Sequence, residues 1–181
     1  MKTTFLSAIL LCCTSVFTFA QEKMTTKTGK ITFEASVPAF EEVKGRNDNA
    51  TCVLAPATGE IASLALIKGF RFKIALMEEH FNENYMESDK YPKATFRGKI
   101  EGFDMNTLTS DAKDYTIKGK LELHGKSKEI SVPAKIRKTD AGIEIVSNFT
   151  VNSDDFGIRI PAVVSKKVSK NVNIRREFTV K

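Results

Sequence analysis

Between Tyr115 and His124 apolar and polar residues alternate without interruption, with Tyr115, Ile117, Gly119, Leu121 and Leu123 in one register and Thr116, Lys118, Lys120, Glu122 and His124 in the other. A helix would scatter such a set around its circumference. An extended strand points successive side chains to opposite faces, so the segment reads as a strand with one dry and one wet face. Ile130, Val132, Ala134 and Ile136 repeat the pattern against Ser131, Lys135 and Arg137. The intervening Gly125-Lys126-Ser127-Lys128 supplies a turn, and the two segments form a predicted β-hairpin. Pro133 falls on the outward register, where a missing backbone donor is tolerated at a strand end or bulge.

The same alternation marks Ile31, Phe33, Ala35 and Val37, and again Ala94, Phe96, Gly98 and Ile100 against Thr95, Arg97, Lys99 and Glu101. Further strands are predicted from Glu60 to Ile67, Gly69 to Ile74, Ile143 to Val151 and Asn171 to Val180, for about eight in all. Asp140-Ala141-Gly142 is a turn between two of them, which makes a meander of antiparallel neighbours the simplest topology. One stretch departs from this pattern. From Ala75 to Glu87 the residues Leu76, Met77, Phe81, Tyr85 and Met86 recur at helical spacing, and Pro92 closes a short amphipathic helix that would cap a barrel end or cover a sheet edge. Residues 41–49 read as the most mobile loop.

Strands with a single apolar face must pack as a sandwich or close on themselves. Ala35, Ala94, Gly98, Gly119 and Ala134 place small residues on the dry faces beside Phe33, Phe96, Leu121 and Ile130. A small closed barrel then either interlocks its side chains or keeps an apolar slot, and composition does not choose between the two. The inward residues that would meet a ligand in such a slot are Phe33, Phe72, Phe96, Tyr115, Ile117, Leu121, Phe149, Phe156 and Phe178. Arg176 stands on the same register as Val172, Ile174, Phe178 and Val180. A charge on a dry face is costly, so Arg176 is expected to pair with a carboxylate, to lie at a mouth of the barrel facing an anionic head group, or to be turned outward by a bulge at Arg175-Arg176.

The amino terminus is of another kind. Lys2 followed by the apolar run Phe5 to Phe19, with Thr18 and Ala20 at the positions that precede a cut before Gln21, reads as a secretory signal over residues 1–20. A single domain over 21–181 follows, periplasmic or secreted. Leu10-Leu11 before Cys12 lacks the small residue expected beside a lipidated cysteine. Removal of the leader takes away Cys12 and Cys13 and leaves Cys52 alone, so stability must come from burial and not from an internal disulfide. Only a few residues then precede Ile31, so the first strand reads as short. The formal charge of +6 becomes +5 without Lys2. The basic residues are dispersed over outward positions, which speaks for solubility and weak attraction to anionic surfaces and against nucleic acid.

No catalytic constellation, metal set or cofactor motif is apparent. His80 has Glu79 and Glu83 at helical spacing, a poor zinc set and an ordinary solvated helix face; His124 is expected to be exposed at its turn. Asp154-Asp155 reads as a turn more readily than as a cation site. Nucleophilic catalysis would require a Ser or Cys beside a base and an orienting acid, and that arrangement is missing.

A series of motifs remains. Phe70-Arg71-Phe72, Leu76-Met77, His80-Phe81, Tyr91-Pro92 and Ala94-Thr95-Phe96 are followed by Gly119 to Lys128 with its Gly-x-Leu-x-Leu-x-Gly pattern, and by Asp155-Phe156-Gly157-Ile158. In this order they resemble the YceI-like family over most of the chain. The resemblance implies an all-β, lipocalin-like antiparallel barrel of about eight strands with one short helix, holding an isoprenoid, quinone or fatty lipid. On that expectation the protein is an exported carrier and not an enzyme. Transient membrane contact and pairing into a homodimer are compatible with it. The alternative is a filled barrel that docks an envelope partner.

Overall fold

Each strand satisfies its edges by pairing on both sides, and here the pairing continues until the sheet meets itself, which turns the dry faces inward. The computed structural model describes residues 22–181; the leader assigned to residues 1–20 lies outside them. The strands are β1 (Met24–Ser36), β2 (Lys44–Ala55), β3 (Glu60–Leu66), the two-residue β4 (Arg71–Phe72), β5 (Lys93–Ile100), β6 (Lys113–Leu123), β7 (Lys126–Thr139), β8 (Gly142–Asn152) and β9 (Val168–Val180). Around the barrel the order is β1-β9-β8-β7-β6-β5-β3-β2, all antiparallel, and β1 pairs with β2 to close it. Eight long strands thus leave no open edge, while β4 adds a short pairing to the start of β2.

The β6–β7 hairpin turns on His124-Gly125, both with positive φ (51° and 71°), the twist that a two-residue connection between strands requires. Pro133 lies opposite Thr116 and faces outward as expected. The expected strand count is met, but one member differs. Residues 41–49, predicted as a mobile loop, enter β2, whereas the predicted strand from Gly69 to Ile74 shrinks to β4 after a single 3-10 turn over Ile67–Gly69. Inward positions of β2 are Gly45, Asn47, Ala50, Cys52 and Leu54, which are small or polar at one end and change register after Asn47. A matching shift in β1 falls between Thr26 and Gly29, so the two strands carry reciprocal irregularities and stay paired. The first strand is also not short, since it begins at Met24.

The helix α1 (Ala75–His80) is followed by a wider π turn over Phe81–Tyr85, in which the Met86 amide reaches back to the Phe81 carbonyl. The helical stretch therefore ends well before Pro92. Glu78 anchors α1 to β4 by accepting from the Phe72 amide (3.1 Å) and from Arg71 Nη1 (3.0 Å). No helix among the described residues is long and apolar enough to cross a membrane.

The interior is divided along the barrel axis. At the end bearing the β5–β6 and β7–β8 connections, Leu54, Ile100, Ile117, Ile136, Ile145 and Val180 are fully enclosed and fill the lumen. At the other end stand α1, the 37–43 loop and the 153–167 segment, and there the lumen is open.

Candidate functional site

The open half is a cavity of about 370 Å³, within the ~300–1,000 Å³ usual for small-molecule sites. Its walls are almost wholly apolar, with Phe33, Ala35, Ala65, Ala94, Phe96 and Leu121 among them. The small residues on β1, β3 and β5 leave the space, and rings bound it. Phe33, Phe70, Phe72 and Phe81 form one aromatic group with centroid separations of 5.0–5.7 Å, which joins β1 and β4 to the helical segment at the mouth. A Cβ on Gly45 would strike the Phe33 ring at 2.5 Å, so that glycine is what lets the ring lie against the wall.

Of the ten residues singled out in the sequence, Phe33, Phe72, Phe96, Leu121, Phe149, Phe156 and Arg176 line the cavity. Tyr115, Ile117 and Phe178 do not. Ile117 and Phe178 are buried in the filled half, and Tyr115 packs there beside Phe103 at 6.1 Å between ring centroids. Alternation assigned their face correctly but carries nothing about depth along the axis. The lining residues that the sequence did not single out include Ser63, Met77, Tyr85 and Ile158. Met77 and Tyr85 belonged to the predicted helix stripe, and Ile158 to the Asp155-Phe156-Gly157-Ile158 motif, so both signals were present.

Arg176 forms part of the cavity floor. The β8–β9 ladder runs in unbroken register through Ser147 opposite Arg176, so the bulge alternative does not hold; Arg176 turns in while Arg175 turns out. It lies on the buried floor and not at a mouth, because its level on β9 is set by the pairing with Ser147. The side chain is 5% exposed. Its Cζ lies 4.6 Å from the Phe96 ring centroid and 4.8 Å from that of Phe149, and Nη2 donates to Ser147 Oγ at 3.3 Å. Nε is buried without a partner. No carboxylate among the described residues pairs with it, and burial pulls the guanidinium down to about 10, which leaves it charged at neutral pH. Two ring faces offset part of the desolvation but accept no strong N–H hydrogen bond.

Cys52 lies near this floor and is completely enclosed. Burial pushes its thiol up to about 12, with the Arg176 charge opposing weakly. Since the thiolate is the nucleophile, Cys52 is inert in the folded state. In a chain without Cys12 and Cys13, a disulfide-exchange reagent such as Ellman's should modify Cys52 at least about a thousandfold more slowly than in urea, with rates that track opening of the barrel. Rapid labelling under native conditions would contradict this burial.

His124 departs from expectation. It is only 11% exposed at the side chain, with Nδ1 at 3.1 Å from the Phe156 carbonyl and Nε2 at 2.9 Å from Glu87. Tyr91 packs on the same ring at 4.4 Å, so His124 ties the β6–β7 turn to the helical segment and to the 153–156 turn. His80 is exposed and reaches the cavity rim. Asp154 and Asp155 sit in a 3-10 turn and pair with Lys170 (2.8 Å) and Lys128; no group of metal-ligating side chains is found among the described residues. The motif residues Tyr91, His124 and Phe156, distant in sequence, thus form one structural unit at the cavity mouth.

This architecture has solved counterparts. A polyisoprenoid binding domain from Saccharophagus degradans, implicated in plant cell wall breakdown, matches with a TM-score of 0.75 at 14% identity, over 88% of this chain and 97% of its own. BcnA of Burkholderia cenocepacia matches at 0.68 and 16% identity, covering 82% and 94% respectively. The YCEI protein of Campylobacter jejuni matches at 0.60 and 22% identity, covering 80% and 89%. No curated protein matches the sequence. The model of the YceI-like domain matches residues 17–180, and the chain therefore belongs to the YceI-like family.

Proposed function

We propose that the protein is an exported, non-enzymatic carrier that encloses a long apolar molecule, an isoprenoid, quinone or fatty lipid, in the open half of its barrel. The observation that carries this reading is the apolar cavity of about 370 Å³ between the aromatic mouth and the Arg176 floor. From Val168 to Arg176 the lining of β9 spans nine residues, and eight steps of ~3.4 Å at a ~40° tilt give a depth of roughly 20 Å. Burial of a chain of that length contributes about 25 cal/mol per Å² of apolar surface, enough for firm binding with few polar contacts. The Saccharophagus counterpart, described as polyisoprenoid binding, supports the ligand class. The filled-barrel alternative accounts for only one half of the lumen.

Export through the leader at residues 1–20 fits a carrier that works beside a membrane. So does the rim, where Phe40 on the 37–43 loop, Leu76 on α1 and Val163 on the 153–167 segment are exposed around the mouth.

Native mass spectrometry of protein purified from cells, followed by lipid extraction, tests the reading. Wild type should carry an extractable long-chain lipid. Ala94→Trp, which fills the cavity from β5, should fold and carry at least about tenfold less. Ligand-free wild type that takes up no quinone, isoprenoid or fatty acid would overturn it.

A further inference from the structure

An apolar carrier has no need of a buried charge. Arg176 nevertheless stands on the cavity floor, more than nine-tenths buried, with Nε unpartnered and no carboxylate among the described residues paired with it. A guanidinium presents five N–H donors in a planar fork, and the one side-chain acceptor it meets is Ser147 Oγ. The rings of Phe96 and Phe149 hold it in place but accept no strong N–H hydrogen bond, and Nε is left without a partner. Resting on the carrier reading above, we propose that the ligand is a long-chain monocarboxylic acid that enters head first, its carboxylate taken by the Arg176 guanidinium at the floor and its tail extended toward Phe33, Phe72 and Phe81 at the mouth.

Charge count and geometry select a carboxylate. Among the described lining residues Arg176 is the one charged side chain on the floor, and the other acidic or basic ones, Glu41, His80 and Lys167, belong to the segments at the rim. One cation balances one negative charge, whereas a diphosphate would bring further charge into an apolar chamber with nothing to meet it. A carboxylate also matches the fork in bidentate fashion, which a hydroxyl cannot. The remaining polar lining near the floor, Ser63 on β3, adds a hydroxyl but no charge. The depth of roughly 20 Å corresponds to an extended chain of roughly 16 carbons.

The test compares hexadecanoic acid, hexadecanol and geranylgeranoic acid on delipidated full-length mature protein at pH 8, by calorimetry or displacement of a fluorescent fatty acid. The wild type should bind the acid about 50-fold more tightly than the alcohol. Arg176→Met should abolish that preference and leave the alcohol's affinity within about threefold, while Arg176→Lys should retain part of it. Geranylgeranoic acid distinguishes an isoprenoid from a straight acyl tail on the same head group. Ligand-free Arg176→Met should melt several degrees above wild type, because an uncompensated buried charge is gone, which also shows that the variant folds. Equal binding of acid and alcohol by the wild type, or a preference that survives Arg176→Met, overturns the carboxylate proposal and leaves the carrier reading standing. Failure of all three probes to bind overturns both.

Discussion

Gly119→Val is expected to destabilise the barrel by about 4 kcal/mol or more, a large part of the ~5–15 kcal/mol available to a domain of this size. A Cβ at Gly119 would stand 2.3 Å from the Arg97 carbonyl oxygen and 2.5 Å from the Gly98 Cα, and both obstacles are backbone. Gly98 is its partner across the β5–β6 ladder and is equally constrained, with the Lys118 carbonyl oxygen at 2.4 Å. No rotamer change can relieve such contacts. The two strands would have to separate, breaking ladder bonds on both sides of the pair, and the Phe96 ring that lies against Gly98 would lose its seat at the cavity floor. Gly102→Ala is the control. Gly102 has φ +64° but nothing within 4 Å of the added carbon, so the loss should be about 1 kcal/mol, from backbone conformation alone. Urea unfolding of the two variants measures the contrast; a Gly119→Val midpoint close to that of Gly102→Ala would show that the strands are not in intimate contact here.

Those glycines also show how far the sequence could be read. Gly98 and Gly119 fell on the dry register by alternation alone, as did Arg176, and the structure places each side as that rule requires because a strand's two faces are set by parity. Depth is not set by parity. Leu121 and Ile117 are equivalent in the sequence pattern, yet one lines the cavity and the other lies in solid core, a distinction fixed by which residues of β3, β7 and β8 reach the same level. The strand β2 was hidden for a different reason. Its inward positions include Gly45 and Asn47, and Asn47 is satisfied by donating to the Leu66 carbonyl (3.0 Å) and accepting from the Asn49 amide (2.8 Å), contacts that no local pattern announces. The same Asn47 would sit 2.6 Å from a Cβ on Gly69, which helps explain why the expected strand there yields to a 3-10 turn. His124 was read as an exposed turn residue because its partners Glu87 and Phe156 are 37 and 32 positions away.

A barrel that is solid at one end and open at the other should respond very unequally to the same chemical change, and β6 offers the comparison on a single strand. Ile117→Ala is expected to destabilise by about 4 kcal/mol. Ile117 is fully enclosed, with Val132 opposite it on β7 and Ile100 opposite it on β5, so its removal opens a void that the surrounding ladder cannot collapse to fill. Leu121, four residues further on and pointing the same way, is 8% exposed and borders space that is already there. Its dispersion contacts are missing on the cavity side from the outset, so Leu121→Ala should destabilise the ligand-free protein by only about 1.5 kcal/mol. A bound chain would supply those contacts, and in the loaded protein the penalty for Leu121→Ala should grow while that for Ile117→Ala stays the same. Chemical denaturation of both variants with and without ligand reads all four values. Equal losses in the ligand-free protein would mean that the lumen is packed from end to end, and the carrier reading would fall with it.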